Sequence, residues 1–113
     1  MGLFSRRRRP AATDAPTDKA AREATLAHLR DFVDTRVGVE AYVEPRTNVT
    51  ATTVMLVATD GEWTRRRVPD EKAAHEIARG MGIPVYDVQR TGYPPRVRAW
   101  NSRQRRGAEP DVV

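Results

Sequence analysis

The stretch NVTATTVMLVATDGEWTRRRVP, residues 48–69, decides the fold. It is β-branched and apolar up to Val57, reaches Asp60-Gly61, and resumes as an extended run from Glu62 to Val68. Two strand-forming arms around an Asp-Gly dipeptide predict a hairpin, because the turn needs a backbone geometry that glycine adopts without steric penalty. Period-two alternation along the second arm puts Trp63, Arg65 and Arg67 on one face.

Upstream, VEAYVEP (residues 39–45) alternates in the same way. Val39, Ala41 and Val43 point to one side, Glu40, Tyr42 and Glu44 to the other, and Pro45 ends the strand. Before it, Leu26, Leu29, Val33 and Val37 recur at helical spacing with Phe32 beside them. An amphipathic helix is expected from Thr17 or Asp18, both good N-cap types, to Arg36, with Gly38 as its stop.

Downstream, Asp70 is expected to cap a second helix with Ala74, Ile77, Ala78 and Met81 as its buried stripe, ended by Gly80 and Gly82. IPVYDV (residues 83–88) reads as a short strand, placed at a sheet edge by Pro84. Pro94 and Pro95 open a short C-terminal helix. On its wheel Val97, Trp100, Asn101 and Gln104 share a face, away from Arg98, Ser102, Arg105 and Arg106. The expected class is α+β: a small, mostly antiparallel sheet in α-β-β-β-α-β order, covered by two helices, with the short helix following.

The 113 residues suffice for one domain, expected over 17–106. Residues 1–16 carry four consecutive arginines among Pro, Ala and Thr and read as a disordered basic arm, and 107–113 as a disordered tail. The absence of cysteine excludes disulfides, thiolate nucleophiles and Cys-based metal sites. No apolar run approaches the roughly 18 residues of a membrane span, and the Arg-rich start lacks the apolar stretch of a secretory signal. A cytoplasmic protein without membrane association is expected. The Met1-Gly2 start places Ser5 one position short of the usual myristoylation pattern, and Asn48-Val49-Thr50 is a glycosylation sequon that a cytoplasmic protein leaves idle.

Charge is uneven. The formal net of +5 divides into +3 over residues 1–16, −2 over 17–89 and +4 over 90–113. The basic ends direct attention to GYPPRVRAWNSRQRR, residues 92–106, with five arginines and two aromatics. Together with the Trp63 face, this points to an anionic macromolecule, RNA, DNA or a ribonucleoprotein, as partner. Arg65, Arg67, Arg96, Arg98, Arg103, Arg105 and Arg106 are the expected phosphate contacts, and Trp63 and Tyr93 the expected stacking residues. A plainer reading of the same residues has Glu40 and Glu44 pairing with strand arginines across the sheet, and Trp100 anchoring a helix whose arginines face water. A second function class is a protein-interaction module using an exposed strand edge such as IPVYDV.

Catalytic patterns are weak, so the expectation leans away from an enzyme, with no cofactor, metal or catalytic residue assigned. His28 and His75 lie on different helices without a second histidine at i+3 or i+4. Glu40 and Glu44, with Asp87 as a third acid, lack a lysine in the strands with which to gather a metal.

Over residues 18–82, the helix-strand-strand-strand-helix order resembles the double-stranded RNA-binding domain, which implies RNA as ligand. GVEAYVEPRTNVT (38–50), GEWTRRRVP (61–69) and GIPVYDVQRTGYPPR (82–96) are similar to a group of short uncharacterised actinobacterial proteins, a resemblance that covers residues 20–104. Some of that group carry an oxidoreductase label, which implies a small oxidoreductase of unknown chemistry as a further alternative.

Overall fold

The structure is a computed structural model describing residues 19–108. The expected arm at 1–16 and the end of the expected tail lie outside these residues. Four helices and four strands follow in the order α1 (Lys19–Thr35), β1 (Glu40–Glu44), β2 (Thr53–Val57), β3 (Trp63–Arg67), α2 (Glu71–Gly80), β4 (Val85–Asp87), α3 (Val88–Thr91) and α4 (Pro95–Ala108). The class is α+β as expected.

The sheet order is β3-β2-β1-β4. β1, β2 and β3 form an antiparallel meander, with Tyr42 opposite Met55 and Met55 opposite Arg65. β4 joins the free side of β1 in parallel, Tyr42 opposite Tyr86. The sheet is therefore mixed, a correction to the mostly antiparallel expectation. After β3 the chain does not turn back as another hairpin. It crosses through α2 and returns beside β1 in the same direction, the arrangement a helical crossover produces. β4 is an edge strand, as Pro84 suggested, and the Pro84 carbonyl accepts the first bond across the seam from the Ala41 N–H at 2.8 Å.

The main core lies between the sheet and the pair α1 and α2. Val39, Ala41 and Val43 pack there with Leu29, Phe32, Val54, Leu56, Ala74 and Ala78. Asp70 caps α2, accepting from the Ala73 N–H at 2.8 Å. The apolar stripe of α1 is narrower than its sequence suggests, since Leu26 is 39% and Val37 78% exposed. Leu26 sits over a cleft between α1 and α2, and Val37 follows the end of the helix.

The other face of the sheet is covered too. Tyr42, Met55 and Val57 form a second, smaller cluster closed by Val97 of α4, with Trp63 packed against it. The two expected covering helices thus share one face, and α4, 14 residues long, covers the opposite one. It is helical through 107–108, where the tail was expected to begin.

Candidate anion interface

Two glutamates flank the apolar cluster on the second sheet face. Glu40 and Glu44, four residues apart on β1, project to the same side with Tyr42 between them. Glu40 accepts from the Arg96 guanidinium at 2.8 Å and from the Tyr42 hydroxyl at 2.9 Å, while Arg96 Nε donates to the Ala58 carbonyl at 2.9 Å. Glu44 accepts a two-pronged bond from Arg65, Nε at 2.7 Å and Nη2 at 2.8 Å, together with the hydroxyls of Thr53 and Tyr93. Burial by itself would raise the Glu44 carboxyl, but the bonds from Arg65, Thr53 and Tyr93 outweigh it and hold the group below its ordinary value. Glu40 is lowered chiefly by its Arg96 bond, against burial and with help from Tyr42. Both carboxylates are committed to ion pairs, the plainer of the two readings of this face.

Several expected phosphate contacts are therefore engaged inside the protein. Arg65 and Arg96 hold Glu44 and Glu40. Arg103 donates to the Asp60 carbonyl at 2.7 Å and stacks over Trp100, 5.7 Å from the ring centre. The expected stacking residues are engaged as well. The Trp63 indole N–H donates to the Asn101 side-chain carbonyl at 2.9 Å, Arg65 lies 5.0 Å over its ring, and Tyr93 has its hydroxyl on Glu44. Arg67, Arg98, Arg105 and Arg106 remain exposed.

Three of these four come together on α4. Its 14 residues hold five arginines and no acid. Arg98, Ser102, Arg105 and Arg106, at i, i+4, i+7 and i+8, form one stripe turned from the sheet, with Arg105 donating to the Ser102 hydroxyl at 3.2 Å. Arg67 lies apart, at the end of β3.

The direction of α4 follows from its anchors. Arg96 binds Glu40 on β1, and Asn101 five residues later binds Trp63 on β3, the last strand on that side. Arg103 reaches back to the Asp60 carbonyl, and the turn beyond it carries Arg105 and Arg106 into solvent. Residues 103–107 are all exposed. Residues 19–108 carry sixteen Lys and Arg against eleven Asp and Glu, a net of +5 equal to that of the whole chain. The excess sits on the described residues, because four arginines and four acids balance outside them.

Sequence reasoning overlooked Arg66, which alternation turns to the α1 side of the sheet. Its guanidinium lies 3.1 Å from His28 Nδ1, and His28 Nε2 lies 2.7 Å from the Thr64 hydroxyl. A guanidinium only donates, so Nδ1 is the acceptor and His28 is neutral.

Among the described residues no group of three or more His, Cys, Asp or Glu could hold a metal ion, and no helix is long and apolar enough to cross a membrane. No family model, curated protein or solved structure matches the chain.

Proposed function

We propose that the protein is a non-enzymatic, cytoplasmic binding protein that seats on the phosphate backbone of a nucleic acid, RNA or DNA, free or within a ribonucleoprotein. The observation that carries this reading is the α4 stripe of Arg98, Ser102, Arg105 and Arg106, on an acid-free helix with all three arginines exposed. Guanidinium groups bind phosphate through paired donors, and such contacts are read as charge and not as base sequence. The engagement of Trp63 and Tyr93 supports backbone contact over base stacking. The commitment of Glu40 and Glu44 to Arg96 and Arg65 supports a binding role over acid-base catalysis, since neither carboxylate is available to take a proton.

The test is fluorescence anisotropy of the full chain with an RNA duplex and a DNA duplex of one sequence, from about 50 to 200 mM salt, a range over which phosphate binding weakens steeply. Micromolar binding that R98E/R105E/R106E abolishes and R79E on α2 leaves intact is expected. Absence of binding at the lowest salt overturns the reading.

A further inference from the structure

We infer that the outer edge of β3 is an acceptor site for an extended acidic segment of a partner protein, taken up as a fifth strand. The inference does not rest on the nucleic-acid reading.

β3 ends the sheet on its side. On its inner side the Ala58 N–H donates to the Glu62 carbonyl at 2.8 Å, and the Val68 N–H to the Thr52 carbonyl at 3.0 Å. Antiparallel pairing alternates, so Thr64 and Arg66 also point their backbone groups inward to β2. Trp63, Arg65 and Arg67 therefore point theirs outward, at a spacing of about 6.8 Å. On this outer row the Arg66 guanidinium donates to the Arg65 carbonyl at 2.9 Å, a side-chain cover that an arriving strand displaces.

The chemistry of the edge selects its occupant. Arg65 turns its guanidinium inward to Glu44, and the exposed Arg66 and Arg67 set positive charge on the two faces of the strand at this edge. A second copy of β3 is opposed, because antiparallel self-pairing sets these arginines against one another. A phosphate backbone meets the outward N–H groups but also the outward carbonyls, which repel it. A polypeptide strand satisfies both, and acidic side chains alternating along it meet the arginines.

The probe is a capped octapeptide of alternating Glu and Val, added to the full-length, nitrogen-15-labelled protein and followed by amide hydrogen exchange. Exchange at Trp63, Arg65 and Arg67 is expected to slow at least tenfold, with Thr64 and Arg66 unchanged. A peptide N-methylated at its central Glu keeps the charge but removes a backbone donor that faces β3, and is expected to give no protection. R67E, at an exposed arginine, is expected to weaken peptide binding at least fivefold with unchanged circular dichroism. Absence of protection overturns the assignment. Equal protection by the N-methylated peptide or by an oligothymidylate, or unchanged affinity in R67E, overturns it as well.

Discussion

The backbone carbonyl of Arg96 lies directly over Gly61: a β-carbon built on that glycine would fall 2.1 Å from the oxygen and 3.0 Å from the Trp100 β-carbon. The first turn of α4 is thus seated on the bare backbone of the β2–β3 turn, at a residue whose φ of 95° already favours glycine. Gly61→Ala is expected to cost at least about 2 kcal/mol from backbone strain and the displaced helix. That lowers Tm by roughly 8 °C or more in a domain of this size. Gly107→Ala, with open space around it inside the same helix, is expected to add about 0.5–1 kcal/mol. Equal Tm values for the two variants would refute the seating.

Glu44 links three elements, and its lowered carboxyl makes the link acid-sensitive. A carboxylate held below its unfolded value of about 4.3 contributes stability that is present above that pH and lost as pH falls through the folded value. Urea unfolding from pH 6 to pH 3 should show this loss. Glu44→Gln keeps the shape but not the charge, and is expected to be about 1–2 kcal/mol less stable at pH 7 and flatter across the acid range.

His28 works in a higher window. Burial, then the nearby Arg66, lowers it from 6.5, with Arg36 acting in the same sense and Asp31 opposing. Stability from the neutral ring is present above the unfolded value and lost as pH falls through the folded one. Between pH 7.5 and 5 the wild type should lose stability that His28→Gln retains. Parallel pH profiles for the two proteins would contradict the Arg66 contact.

The arginines of α4 divide by salt dependence. For duplex DNA the logarithmic slope of affinity against salt is about 0.9 for each phosphate that the protein neutralises. Single alanine variants of Arg98, Arg105 and Arg106 should each flatten the slope by roughly that amount. Arg65→Ala should leave the slope unchanged and lower Tm, because that side chain serves Glu44. A flattened slope in Arg65→Ala would return it to the nucleic-acid surface.

Local pattern made much of the fold legible. Alternation in residues 39–45 sorted the valines from the glutamates, Asp60-Gly61 marked the hairpin, and Asp70 marked the start of α2. Strand direction was not legible, since nothing local in IPVYDV distinguishes a parallel partner from an antiparallel one. The cover on the second sheet face was missed for a related reason. Tyr42 and Met55 look solvent-compatible until Val97, more than forty residues away in sequence, is brought onto them. The site was half legible: composition located the arginines, but which serve inward depended on Glu40 meeting Arg96 and Glu44 meeting Arg65 in the folded sheet. Leu26 kept helical spacing yet opens onto a cleft, because periodicity gives the face of a helix and not how far its neighbour reaches.

The covering of the sheet by α4 also sets an order of assembly. During synthesis β1, β2 and β3 emerge before Val97 and Trp100, and β4 can join β1 only after α2 has crossed over. The face of Tyr42, Met55 and Val57 is thus an open apolar surface on the nascent chain until α4 arrives. A chain halted before Pro95 would hold that surface bare, making it a natural target for chaperones and for aggregation.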